Sequence, residues 1–276
     1  MFRKIKISNI LSYIVLILMS IFVLFPFLWT FLTSIKSDKE MFSIPPFWIP
    51  ESPNIQNYVE VLGKGDFQHF IINSIVISFV TLVLALLIGA PAAYGFARYK
   101  FKLSGFLFAL VVAVRMFPPI TLVIPYFIAI RSLGLIDTKV GLMITYLPLM
   151  LTLIIWILES FFREVPIDIE EAAEMDGLGT IGKFVRIVLP LSLPAIGVAS
   201  ILGFMVAWNE FMLALTLTQT VEAQTMPVGI AGYVTTFQTY WGQMSANGMM
   251  YIIPVIVFTF IAQKGLVKGL TAGAVK

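Results

Sequence analysis

The sequence predicts an all-α membrane protein with six transmembrane helices and both termini in the cytoplasm. Three observations carry that prediction. Of the 276 residues, 59% are hydrophobic and only 12% charged, with a mean hydropathy of +0.96, whereas soluble domains carry roughly 25% charged residues. The apolar stretches are long enough to cross about 30 Å of hydrocarbon as helices of roughly 20 residues, and they lack the every-second-residue alternation of a barrel strand. The basic residues are also distributed unevenly along the chain, as a membrane topology requires.

The first span is expected over residues 10–34. Its basic start, MFRKIKISNI, resembles that of a secretory leader, but the apolar run is too long and shows no small-residue cleavage site, so it reads as a retained span. The stretch KSDKEMFSIPPFWIPESPNIQNYVEVLGKGD, rich in proline and aromatic residues, reads as an outer loop lying on the membrane surface. Spans follow at 70–97 and 104–130, the latter interrupted by FPPI at Phe117–Ile120, where proline predicts a kink or break near the outer surface. Further spans are expected at 140–162, 190–217 and 249–264, and the last two are separated by the moderately polar outer segment QTVEAQTMPVGIAGYVTTFQTYWGQMSANG.

Orientation follows from lysine and arginine. With the N-terminus in the cytoplasm, the inner segments hold twelve basic residues, namely Arg3, Lys4, Lys6, Arg98, Lys100, Lys102, Arg163, Lys183, Arg186, Lys264, Lys268 and Lys276. The outer loops hold five, Lys36, Lys39, Lys64, Arg131 and Lys139, and Arg115 is left near a span end. An even number of spans returns the C-terminus to the cytoplasm. The expected organisation is an N-terminal helix and outer loop over 1–69, a five-helix core over 70–264 with a cytoplasmic loop at 164–190, and a cytoplasmic tail over 265–276.

Several chemistries are excluded. The chain has no cysteine, which removes disulfides, thiolate metal sites and a cysteine nucleophile. Its single histidine, His69, cannot build a multi-histidine metal site and leaves a Ser/His/Asp hydrolase without support; His69 itself reads as an interfacial residue rather than a proton relay. No Gly-x-x-x-x-Gly-Lys-Ser/Thr phosphate loop is present, since GKGDF and GTIGKF lack its spacing, so any ATP must be bound by another chain. The net charge of +3 is too small to suggest nucleic acid. No catalytic residue and no metal site are expected.

Against this apolar background the stretch EEAAEMDGLGTIGKFVRIVLP, Glu170–Pro190, is a polar island. Pro166 suits the first turn of a helix, and Asp168, Glu170 and Glu171 complement its positive end. Ile169, Ala172, Ala173 and Asp176 follow a three-to-four spacing that gives one face of small side chains. Gly177 and Gly179 can end the helix, and Thr180 can cap a second one, IGKFVRIVL, before Pro190. The residues alone are read equally well as a helix-turn-helix that another protein approaches closely and as an amphipathic surface loop with no partner.

The sequence EAAEMDG followed by IVLPLSLP resembles the E-A-A-x-x-x-G…I-x-L-P loop in permease subunits of binding-protein-dependent ABC importers. Two further stretches, AWNEFMLALTLT and KGLVKGLTAGAVK, resemble the carbohydrate-uptake branch, particularly the smaller of the two maltose-type permease subunits. One departure is IAQKGL, where many relatives have an aromatic residue and an arginine. The resemblance implies the type I ABC importer transmembrane fold in the cytoplasmic (inner) membrane of a prokaryote. It implies a non-catalytic subunit without a cofactor of its own, working with a second permease, an extracytoplasmic sugar-binding protein and two ATP-binding subunits that hold ATP and Mg. In that family the loop is the coupling helix, so Glu171, Ala172, Ala173, Asp176 and Gly177 would form the docking element for the ATPase subunits. The implied function is import of a sugar or oligosaccharide by alternating access. Import of a polyol or glycerol phosphate by the same architecture is an alternative. A self-contained ion-coupled carrier or channel is another, but it would want several in-membrane charges on facing helices.

Trp208, Asn209 and Glu210 fall inside the expected fifth span. A carboxylate in lipid is expensive, so Glu210 should face the bundle interior, water or a partner. The trio reads as lining of the transport path or a permease interface, or as a structural hydrogen bond between helices. Trp208 suits stacking on a sugar and suits an interfacial anchor equally. Arg115 is expected to pair with an outer acid or to snorkel towards the headgroups.

Overall fold

The computed structural model describes the backbone of residues 7–273 and the side chains of residues 12–262. Among the described residues every regular element is helical, apart from an isolated bridge between Val234 and Thr239. The helices in chain order are α1 (Ile7–Ser34), α2 (Asp38–Met41), α3 (Gln56–Gly63), α4 (Asp66–Arg98), α5 (Ser104–Ala113), α6 (Pro119–Ser132), α7 (Lys139–Glu164), α8 (Ile167–Met175), α9 (Thr180–Lys183), α10 (Leu189–Leu191), α11 (Leu193–Trp208), α12 (Met212–Leu217), α13 (Met226–Ala231) and α14 (Trp241–Gly273). Among the described residues four helices are long and apolar enough to cross a membrane, or six if each of two bent pairs forms one span. Arg3, Lys4, Lys6 and the side chains of the KGLVKGLTAGAVK motif lie outside the described residues.

The chain divides into two compact units, one running to Phe67 and including Ile230–Ile252, the other comprising Gln68–Gly229 with residues from Ile253 onward. In the first unit α1 presents apolar side chains on all sides, with Phe22 78% exposed, which suits a helix solvated by lipid. The loop after it is tied down by polar contacts. Lys36 is buried, donates from Nζ to the Phe47 carbonyl at 2.5 Å and lies over the Trp29 ring. The Asn57 amide donates to the carbonyls of Ser34 and Lys36.

The second unit is built on α4, α7 and α11. Its core includes Ile77, Leu82, Ala85, Tyr146, Met150, Ile154, Leu158, Ala199 and Phe204, all buried. Small residues let the helices approach, as is usual where lipid supplies no hydrophobic drive between helices. A Cβ on Gly89 of α4 would stand 2.9 Å from Ile154 Cγ2 of α7, and one on Gly203 of α11 would stand 3.1 Å from Leu82 Cδ1. Phe204 stacks on Trp208 and on Phe258 of α14, with ring centroids 5.2 and 4.3 Å away.

The expected third span breaks where its prolines require. α5 and α6 meet at 100° across Phe117 and Pro118, both in extended conformations, because each precedes a proline and is pushed out of the helical region. Among the described residues Arg115 forms no ion pair with an acid, and it is exposed. Its guanidinium lies 5.6 Å from the Trp156 ring centroid, an attraction of the cation to the negative face of the indole.

The expected fifth span, 190–217, is corrected in two places. The chain turns by 78° between Thr180–Leu191 and α11, and α11 stops at Trp208. Beyond the break the Glu210 side chain accepts from the Leu213 and Ala214 amides, which as first-turn amides of α12 have no carbonyl partner within that helix, and so caps its start. The sixth helix begins at Trp241 rather than 249. Its first turns carry polar residues, and several of these are buried, including Ser245 and Asn247, so hydropathy alone misplaces its start.

Connections at the α12 end of this unit are pinned through side chains. Asp137, in the left-handed region at φ 58, accepts from the amides of Gln219 and Thr220 at 2.7 and 3.0 Å and from the Thr220 hydroxyl. Desolvation works to raise its carboxyl pKa, but these hydrogen bonds prevail and lower it. The Asn73 amide of α4 donates to the carbonyls of Glu222 and Gln224 at 2.9 and 2.8 Å.

Candidate functional site

The polar island folds as two short helices. Pro166, at φ −57 and ψ 130, precedes α8, whose first turn carries Asp168 and Glu170 at the positive end of the helix dipole. Gly177 adopts φ +86, a conformation that suits glycine, and the Leu178 amide donates to the Ala173 carbonyl to close the helix end. Gly179 rather than Thr180 occupies the N-cap of α9, and Thr180 makes no side-chain cap. The second helix does not end before Pro190. It continues through a π-helical turn at Phe184–Val188 into α10.

Burial divides the expected docking residues. Glu171, Ala172, Asp176 and Gly177 are exposed, whereas Ala173 is buried at 6% exposure. The small-residue face expected from spacing is therefore split, because Ala173 turns towards the helices behind it. The outward surface is completed by Met175, 88% exposed, and Ile181, 78% exposed. Sequence reasoning missed both, although a methionine between two acids in a polar loop is itself a signal, since exposed adaptable apolar side chains mark interaction sites.

The inward face holds a residue that spacing did not distinguish from its acidic neighbours. Glu170 is 4% exposed. Its Oε1 accepts from Arg98 Nε at 2.6 Å and its Oε2 from the Tyr94 hydroxyl at 2.5 Å. Arg98 Nη2 also donates to the Val165 carbonyl at 2.7 Å. The Tyr94 ring packs against Phe184 at 5.0 Å and Phe162 at 6.3 Å between centroids. A second ion pair, Lys183 Nζ to Glu174 Oε2 at 2.6 Å, ties α9 to α8. That hydrogen bond raises the Lys183 pKa against a smaller desolvation.

Trp208, Asn209 and Glu210 are not neighbours on an unbroken span. Trp208 is 1% exposed and ends α11, whereas Asn209 is exposed and donates from Nδ2 to the Met205 carbonyl. Glu210 is partly exposed; its two oxygens accept from the amides of Leu213 at 2.8 Å and Ala214 at 3.0 Å. The carboxylate, expected to face the bundle interior, water or a partner, takes two hydrogen bonds from the start of α12 in its own chain. His69 is exposed near the start of α4.

Known proteins resemble the chain along most of its length. Residues 83–271 match the model of the family described as binding-protein-dependent transport system inner membrane component. The chain is 40% identical over 257 residues to the trehalose transport system permease protein SugB of Mycobacterium tuberculosis, covering 92% of this chain and 93% of that protein. It is 36% identical to the trehalose/maltose transport system permease protein MalG of Thermococcus litoralis over 99% of both chains. It is also 36% identical to the sulfoquinovosyl glycerol transport system permease protein SmoH of Agrobacterium fabrum, over 92% of this chain and 89% of that one. Among solved structures, a bacterial ABC transporter involved in the import of the acidic polysaccharide alginate superposes with a TM-score of 0.77, covering 95% of this chain and 99% of that one. At 23% identity, that likeness speaks to the fold. An extended family match, relatives aligned end to end and a shared helical architecture agree, and the chain is a member of the family of binding-protein-dependent transport system inner membrane components.

Proposed function

We propose that the chain is the membrane-spanning permease subunit of an ATP-driven importer of a sugar or oligosaccharide in a prokaryotic cytoplasmic membrane. It works by alternating access, pairs with a second permease, receives substrate from an extracytoplasmic binding protein and draws on two ATPase subunits that bind ATP and Mg. Residues 70–264 form its core, the tail from 265 lies in the cytoplasm, and the 164–190 loop is the coupling element. Support for a sugar comes from relatives named for trehalose, maltose and diacetylchitobiose. Support for coupling comes from one observation: α8 exposes Glu171, Ala172, Met175, Asp176 and Gly177 while its other face is bonded to α4. A surface that is adhesive outside and fastened inside can transmit a pull.

Co-purification tests this reading. Solubilised in mild detergent, the wild-type chain should carry its ATPase subunits and second permease, and Ala172→Glu should insert normally but lose the ATPases and uptake. Retention of the ATPases by Ala172→Glu removes the docking assignment. The binding protein that co-purifies identifies the substrate class when its thermal shift is measured against sugars, polyols and glycerol phosphates.

A further inference from the structure

We propose that Arg98, Tyr94 and Glu170 are positioning residues that form a strut delivering movement of α8 to the long helix α4. The inference rests on the reading of α8 as the ATPase-docking helix. Tyr94 and Arg98 stand four residues apart in the last turns of α4 and so present one face. Each takes one oxygen of the same buried carboxylate. Arg98 reaches further, to the Val165 carbonyl between α7 and α8, so the end of α4 grips both sides of the corner at which α8 begins.

The acids around Glu170 show that this placement is selective. Asp168, Glu171 and Glu174 are exposed, and Glu170 alone in α8 turns its carboxylate inward, where the Arg98 side chain is only 11% exposed. Burying such a pair contributes little stability over apolar side chains of similar size, whereas breaking it from one side is costly. What these contacts supply and an apolar contact lacks is direction: two hydrogen bonds fix α8 against α4 and a third holds the Val165 corner, whereas apolar surfaces can slide. From there α4 continues past Gly89, packed on Ile154 of α7, so a displacement entering at Arg98 is carried into the core through helices in direct contact.

The chain has no cysteine, so Leu87→Cys, an exposed site on α4, accepts a single environment-sensitive fluorophore. The label is read in the assembled transporter with ATP, Mg and vanadate. Three variants carry it: unmodified at the strut, Glu170→Gln, and Arg98→Met with Glu170→Met. In Glu170→Gln the ATPases stay bound and hydrolyse ATP, but the nucleotide-driven change at the label is lost. The double variant, which leaves no bare charge, assembles and melts as the parent does and still lacks the change. A full change in Glu170→Gln, or its recovery in the double variant, overturns the strut and leaves these residues structural. If Ala172→Glu keeps its ATPases, the docking assignment fails and the strut falls with it; if Ala172→Glu loses them and Glu170→Gln responds normally, only the strut fails.

Discussion

Glu210 offers the sharpest test of how the break after α11 is held. Replacing it with alanine removes the acceptors of the Leu213 and Ala214 amides, which sit 2.8 and 3.0 Å from its two oxygens. A side-chain cap of this kind contributes about 0.5–2 kcal/mol, and charge-assisted hydrogen bonds lie towards the upper part of that range. Because Glu210 is partly exposed, water replaces some of what is lost, and a cost of about 1 kcal/mol is expected. For a chain of this size that corresponds to a melting temperature lower by roughly 2–4 °C. Glu210→Gln keeps one acceptor oxygen, so about half the effect should remain. The assay is thermal unfolding of the purified complex followed by size-exclusion fluorescence, paired with hydrogen exchange resolved at Leu213 and Ala214. Both amides should exchange faster in the alanine variant, and one in the glutamine variant. Unchanged melting and unchanged protection in both variants would refute the cap. Loss of transport by Glu210→Gln at unchanged stability would return the residue to the transport path.

Three further outcomes follow from the geometry. Gly177→Ala places a side chain at φ +86 and should cost about 1–2 kcal/mol, read as a loosened α8 in hydrogen exchange, while Gly177→Asn should cost less. A Cβ on Gly229 would stand 2.3 Å from Phe70 Cδ2, so Gly229→Ala should destabilise by about 1–3 kcal/mol, and an additional Phe70→Leu should recover part of the loss in the same melting assay. The Glu40 carboxyl is held down from 4.5 to about 2, first by the Ser37 amide and then, against desolvation, by the amides of Glu51 and Ser52. A depressed carboxyl stabilises above its unfolded value, so the order of the loop after α1 should be full above about pH 4.5 and fade as pH falls towards 2. Protection of the Glu51 and Ser52 amides, corrected for intrinsic exchange, should track that window and lose its pH dependence in Glu40→Gln.

Composition and apolar run length were enough to indicate a six-span helical membrane protein, because lipid permits few alternatives to a helix whose backbone satisfies itself. The break at Phe117–Pro118 was legible for a similarly local reason: proline restricts itself and the residue before it wherever it stands. The polar island could be read from its composition and from Gly177, whose role depends on a single residue's backbone. Which way each α8 side chain points was not legible, since Glu170 and Glu171 look alike in a sequence. Arg98, 72 residues away, makes one of them a buried partner and leaves the other exposed. Glu210 shows the same limit from the other side. Hydropathy carried the fifth span straight through it, whereas in the folded chain α11 ends at Trp208 and the carboxylate captures two amides at the start of α12. Local conformational limits are properties of neighbouring residues and can be read along the chain; burial, pairing and the competition of a side chain with the backbone depend on what the fold brings close, and only the tertiary structure decides them.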